Sequence, residues 1–278
     1  MYVFNQSLFH SFNSRQVVKV IAGLNNNNIY QILKLIKAIE LSNATYIDII
    51  ANPKIVMILK AMTDLPICVS SINPIELYNC VLAGADIVEL GNFDVFYDKE
   101  IKFSAKNILD LAIETRHLIP FKDICVTIPY HLSLYEQIGL SQKLEKNGIN
   151  FLQTEGGIVL AGSPLDQKAD CIFASTYIAS ASLSSTYAIS HAVNIPVISA
   201  SGINCLSAPI ALSYGASGIG IGRMINQLVD INIMSNYIDE IKYSLSSKTN
   251  YIINNLEILN ILDTQLEMIT HKHLLKSF

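Results

Sequence analysis

Residues 195–225 read IPVISASGINCLSAPIALSYGASGIGIGRMI. An apolar β-type run closes on Ser201-Gly202, a helical stretch follows over Ser207–Tyr214, and a second β-type run, Gly218–Gly222, enters Arg223. Two short buried strands with a helix between them make a parallel βα unit. Working outward, the same alternation runs back to Val17. Strands are predicted at Val17–Gly23, Thr45–Ala51, Pro66–Ser71, Ala85–Leu90, Asp123–Pro129, Asn150–Glu155, Pro196–Ser201 and Gly218–Gly222. Helices are predicted near Asn28–Leu41, Pro53–Met62, Pro74–Ala83, Ala105–Leu118, Ser133–Asn147, Thr176–Ala192 and Ser207–Tyr214. Asn73-Pro74 places a capping side chain before a first-turn proline, and Gly84, Gly148 and Gly215 stand where helices need a left-handed residue after their ends. About eight such units in one chain predict an α/β fold, a (β/α)8 barrel of the phosphate-binding type, over an open doubly wound sheet.

The barrel is expected over about residues 17–229 of a single domain. Phe4, Leu8, Phe9 and Phe12 suggest a short helix capping its N-terminal face. Helical patterns at Asp230–Leu245 and Tyr251–Leu275 form a C-terminal extension over about 230–278, expected to pack on the barrel or on another subunit.

The ends of strands seven and eight predict a phosphate cradle of Ser201, Gly202, Gly220, Gly222 and Arg223. Backbone N–H groups bind an anion there if no Cβ stands in the way. Charged residues within strands are costly unless they face the catalytic mouth. Lys19, Glu89 and Glu155 are therefore candidate catalytic groups, with Asp48, Ser70, Thr127, Gln153 and Ser199 also lining the mouth. Alternation would let Lys19, Glu89, Gln153, Glu155, Ser199 and Ser201 point inward together. Lys19 is either one half of a held ion pair or a desolvated amine able to act as base or Schiff-base nucleophile. Asp94, Tyr97 and His131 fall on the same side of the barrel, and the segment from Gly156-Gly157 to Asp170 is long enough for a lid.

Composition removes other classes. Nineteen basic against 23 acidic residues, a net charge of −4, leave no positive field for nucleic acid. Half the residues (51%) are hydrophobic, yet the charge-free run Cys171–Gly222 is too rich in Ser, Thr, Asn and Gly to lie in lipid, so no membrane partner is expected. Five scattered cysteines without C-x-x-C spacing predict buried thiols and no metal site, and no signal or transit peptide is visible at the N-terminus.

The phrases KVIAGLNN (19–26), IVELGNFD (87–94), LQTEGG (152–157) and IPVISASGI…GASGIGIG (195–222) together resemble the family known as hypothetical chloroplast reading frame twenty-three. The resemblance spans most of Val17–Gly222. It implies a plastid location and a likeness in fold to phosphate-binding barrels such as thiamine-phosphate synthase and sugar-phosphate epimerases, and it carries over no catalytic residues. Three functions follow as expectations. The first is an isomerase, epimerase, lyase or synthase acting on a small phosphorylated metabolite. The second is a barrel holding flavin mononucleotide (FMN) by its phosphate. The third is a non-catalytic, homo-oligomeric metabolite sensor or scaffold whose subunits meet through the uncharged helices Thr176–Ala192 and Ser207–Tyr214.

Overall fold

A computed structural model of the chain describes residues 3–23, 26–91, 93–97, 100–157 and 172–246. Its centre is a closed parallel barrel in sequential order, β1 (Val17–Ile21), β2 (Tyr46–Ile50), β3 (Ile67–Ser71), β4 (Ile87–Leu90), β5 (Asp123–Ile128), β6 (Phe151–Thr154), β7 (Val197–Ala200) and β8 (Gly218–Ile221), with β8 paired back to β1. These strands lie within the predicted ones. The differences are one or two residues at their ends, where pairing stops before the apolar run does.

Helices α2 (Ile29–Glu40), α3 (Pro53–Lys60), α4 (Pro74–Leu82), α6 (Ala105–Leu118), α7 (Leu134–Lys146), α9 (Ser180–Ser190), α10 (Ala208–Ser213) and α12 (Ile231–Ser246) surround it, with short helices α5 (Asp94–Tyr97), α8 (Ile172–Ile178) and α11 (Arg223–Gln227) in the links. Asn28, Asn52 and Asn73 cap α2, α3 and α4 with side-chain oxygens on backbone N–H groups, and Ser104 and Ser133 each form a capping box. Gly84, Gly148 and Gly215 take φ of 109°, 80° and 103°, as the sequence predicts for residues ending helices. One boundary shifts. α12 packs on α2, α10 and β1 and completes the helical ring, so the barrel runs on to at least Ser246. A barrel strand left uncovered on its outer face would expose the apolar side chains that alternation puts there. The predicted Tyr251–Leu275 helix, most of the 156–170 segment and Cys171 lie outside the described residues.

Strand alternation splits the core into two layers. Val18, Val20, Ile47, Ile49, Val69, Val88, Val126 and Leu152 point outward under the helices. Val17, Tyr46, Cys68, Ile87, Cys125, Phe151 and Ile198 fill the barrel's N-terminal half, closed below by Leu8 and Phe12 of α1 (Gln6–Asn13). The predicted cap is thus present, and Asp123 ties it down by accepting the N–H groups of Phe4 at 2.8 Å and Asn5 at 2.9 Å. Among the described residues, no helix is long and apolar enough to cross a membrane.

Candidate functional site

Two residues further along each of β1 to β6 from that apolar plug, the barrel interior turns polar. Lys19 on β1 is fully buried, and its ammonium reaches Asp48 Oδ2 at 2.8 Å, Glu89 Oε2 at 2.6 Å and Gln153 Oε1 at 2.8 Å. Ser70 donates to Asp48 at 2.5 Å, Thr127 to Glu89 at 3.0 Å, and Gln153 Nε2 to Glu89 at 3.0 Å. Six of the predicted residues, drawn from β1 to β6, therefore meet in one network. Gly91 makes it possible, since a Cβ there would stand 2.9 Å from Thr127 Oγ1 and 3.0 Å from Glu89 Oε1.

The two readings of Lys19 separate here. All three N–H donors of its ammonium are used. Burial alone would push its pKa down, but Asp48 and Glu89 outweigh that and hold it well above the ordinary lysine value. It is a fixed cation, and not a free amine for Schiff-base chemistry. Asp48 is pushed up to about 6, chiefly by burial, against the pull of Lys19. Burial likewise raises the thiols of Cys68 and Cys125 below the network. Asp48, Cys68 and Glu89 offer three potential metal-ligand atoms within 4.8 Å of one another. The cation lying between the two carboxylates is the lysine's own.

Glu155 belongs to the mouth above this layer. The Tyr97 hydroxyl donates to its Oε2 at 2.6 Å and the Tyr130 N–H at 3.3 Å, while the Tyr97 ring stands edge-on to Tyr130 and His131 at 5.2 and 5.4 Å. Tyr97 thus lies on the side the sequence places it, and His131 Nε2 is engaged at 3.0 Å with the Phe103 carbonyl. Asp94 opens α5, and its side chain is outside the described residues. Tyr130 went unnoticed in the sequence because nothing local marks it. Its role comes from β5 ending beside β6.

Two predicted positions are corrected. Ser199 does not line the mouth. Ile198 occupies the inner face of β7, so Ser199 points outward and bonds to Ser182 at 3.0 Å and Thr186 at 2.9 Å on α9, with Thr154 of β6 in the same hydroxyl cluster. The buried face of α9 is therefore polar but uncharged. Gly220 is not at the rim either. It sits within β8 in register with Lys19 and Ala200, and a Cβ on it would meet Ala200 Cβ at 2.9 Å and Ile21 Cδ1 at 3.3 Å. Its missing side chain is a packing requirement of the barrel interior.

Ser201, Gly202, Gly222 and Arg223 lie at the ends of β7 and β8. Ser201 and Gly202 are consecutive left-handed residues, with φ of 77° and 76°. Glycine suits Gly202 twice over, because a Cβ would also lie 2.8 Å from the Ile178 carbonyl. Ser201, which is not glycine, bears the strain and donates its hydroxyl to Gly156 O at 3.1 Å. Gly222 heads α11 with no side chain capping the helix, and Arg223 is exposed beside it. A cavity of about 580 Å³ opens next to this turn, between β1, α2 and the α11–α12 link.

Among solved structures, thiamine phosphate pyrophosphorylase from Pyrococcus furiosus is similar, with 20% identity, 84% of this chain and 96% of that one covered, and a TM-score of 0.53. (S)-3-O-geranylgeranylglyceryl phosphate synthase from Thermoplasma acidophilum, in complex with sn-glycerol-1-phosphate, is 15% identical with a TM-score of 0.56 over 88% of this chain and 98% of that one. At these identities the likeness is one of fold, and it agrees with the barrel described above. In sequence, the uncharacterized protein ycf23 of Antithamnion sp. is 49% identical over 268 residues, 95% of this chain and 96% of that protein, and its namesake from Cyanophora paradoxa is 39% identical over 248 residues, covering 89% and 98%. With a profile described as "Protein of unknown function (DUF561)" matching residues 4–251, the chain belongs to the DUF561 family, alongside these ycf23 proteins.

Proposed function

We propose that this chain binds a small phosphorylated metabolite at the C-terminal mouth of its barrel and acts on it by proton transfer, the chemistry shared by isomerases, epimerases, lyases and synthases. The observation carrying this reading is the consecutive left-handed pair Ser201–Gly202 at the end of β7. A non-glycine residue held in that region beside an uncapped helix start is backbone shaped for something other than the fold's own bonding. The phosphate meets the N–H groups at Gly202 and Gly222, with the Arg223 guanidinium as a further donor and the Ser201 hydroxyl as another once it turns from Gly156 O. Lys19, Asp48 and Glu89 form a charged floor of fixed orientation, which costs no reorganisation when charge develops above it. Glu155, with the Tyr97 hydroxyl on it, is the proton-transferring group at the mouth. The solved relatives named above, whose names include phosphate compounds, support this choice of ligand class, and the kinship with ycf23 proteins supports the plastid as the place of action.

Calorimetry with sn-glycerol 1-phosphate and with inorganic phosphate tests the binding site. Saturable binding is expected, weakened at least tenfold in Arg223→Ala, whose exposed side chain can be removed without disturbing the core. Binding that is absent from the wild type, or undiminished in the variant, would reject the cradle. Flavin absorbance in the purified protein would assign the same cradle to FMN.

A further inference from the structure

Two adjacent helices on the side of the barrel present an apolar face to solvent. Met57 and Ile58 of α3, Met62 just beyond its end, and Ile75, Tyr78 and Leu82 of α4 are each 38–69% exposed. On α4 the spacing i, i+3, i+7 sets the three side chains on one face of the helix. α3 and α4 pack directly on each other, so the six residues lie on neighbouring helices, with exposed Lys54 and Glu76 in the first turns of the same two helices. Charge surrounds this face. The outer face of α2 carries Lys34, Lys37 and Glu40, that of α6 carries Lys106, Asp110 and Glu114, and the Lys60–Asp86 ion pair at 3.1 Å lies where the two helices end.

The size of the face identifies its occupant. At roughly 200 Å² for each large side chain, six residues at these exposures present on the order of 700 Å², against about 800 Å² a side for a standard interface. A soluble monomer's largest apolar patch is about 300–600 Å². An apolar centre within a charged rim is the composition of a homodimer interface. A copy meeting this face through the same face closes the assembly at two chains. The uncharged α8–α9 side exposes Ile172, Phe173, Tyr177 and Tyr187 at 48–69%, on the order of 450 Å² by the same reckoning, which a monomer's surface carries, and Tyr187 is already packed on His191 and Tyr214 with ring centroids 4.3 and 5.6 Å away.

We propose that a second copy of this chain packs on the α3–α4 face, forming a two-fold homodimer whose barrel mouths both stay open, because the face lies on the helical wall and the mouths lie at the strand ends. The proposal is independent of the ligand reading.

Sedimentation velocity of the full chain at tens of micromolar is expected to report the mass of two chains. The double variant Met57→Glu, Leu82→Glu is expected to report the mass of one with an unchanged far-UV circular dichroism spectrum, while Tyr187→Glu remains a dimer. A second measurement covers a double variant that does not fold. Peroxide oxidation of Met57 and Met62 in the wild type, read by mass spectrometry, is expected to slow several-fold between dilute and concentrated protein. A single-chain mass for the wild type, including one in which residues 247–278 shield the patch, would overturn the proposal. So would a dimer that survives the double variant, or methionine oxidation independent of protein concentration.

Discussion

Replacing Lys19 with methionine is expected to destabilise the protein by about 3–5 kcal/mol, the usual consequence of removing one partner from a buried ionic group. Methionine is unbranched and only one heavy atom shorter, and it removes the charge, so the loss is mainly electrostatic. Two carboxylates, Asp48 and Glu89, would face each other inside the barrel with the cation 2.8 and 2.6 Å from them gone. For a domain of this size the thermal midpoint falls by roughly 2–4 °C per kcal/mol.

The pH dependence has a definite sign. Asp48 already binds its proton more tightly folded than unfolded, with a pKa pushed up to about 6 chiefly by burial. Its contribution therefore favours the folded state at low pH and weakens as pH rises from about 4 through 6. Without Lys19, whose charge pulls it down, the Asp48 carboxyl is raised further, so the deficit of the variant should be smallest near about pH 5 and largest near about pH 8. Lys19 itself, raised well above its ordinary value, supplies stability that is complete below about pH 10 and is lost only above it. Urea unfolding of both proteins at the two pH values measures the difference. An equal deficit at both, or one below about 1 kcal/mol, would contradict a compensated buried cluster. The triple variant Lys19→Met, Asp48→Asn, Glu89→Gln should recover much of the loss, because no uncompensated charge remains.

Gly218→Ala is the second large effect, and it separates packing glycines from ligand-facing ones. A methyl group at Gly218 would lie 2.4 Å from Val17 Cβ and 2.7 Å from Val17 O. The obstruction includes backbone, and the strand carrying it is hydrogen-bonded on both sides in a closed barrel that has no free edge to yield. The expected cost is at the top of the overpacking range of about 1–3 kcal/mol, or loss of soluble protein. Gly220→Ala, meeting Ala200 Cβ at 2.9 Å, should be milder. Gly222→Ala, with its nearest contact at Ile21 Cβ 3.4 Å away, should melt close to wild type. Thermal midpoints should fall in the order Gly222, Gly220, Gly218. A Gly222 variant less stable than the Gly218 one would invert the assignment of Gly222 to the mouth and Gly218 to the packed interior.

These glycines show how far a one-dimensional reading reaches. Three inward or end positions of strand eight look alike in GASGIGIG, and two of them, Gly220 and Gly222, read as a phosphate loop. Only the neighbouring strands distinguish them, because the clash at Gly218 is with β1 and that at Gly220 is with β7 and β1. Ser199 and Ser201 likewise share a parity and look equivalent. The strand ends at Ala200, however, and the left-handed turn after it sets the Ser201 side chain independently of strand alternation. The charge-free helices suggested an association surface, and what the structure adds is a buried hydroxyl face of α9 bonded to Ser199 and Thr154. The larger apolar face, on α3 and α4, was hidden in PKIVMILK and PIELYNCVL, where apolar residues occur all round the helix and periodicity cannot say which will be covered.

By itself the sequence determined the eight strands to within a residue or two at each end, most of the helices between them, the capping helix below and the polar character of one interior layer. Those features are local: alternation, caps and glycine stops act between residues a few positions apart. The single helix predicted over Thr176–Ala192 is two, α8 and α9, beginning at Ile172. The tertiary structure alone decided that Lys19 is bound by Asp48, Glu89 and Gln153, that Glu155 answers to Tyr97 and Tyr130, and which glycines are filled space. Each of those is a contact across the barrel between residues tens to more than a hundred positions apart, and closing the sheet is what brings them within bonding distance.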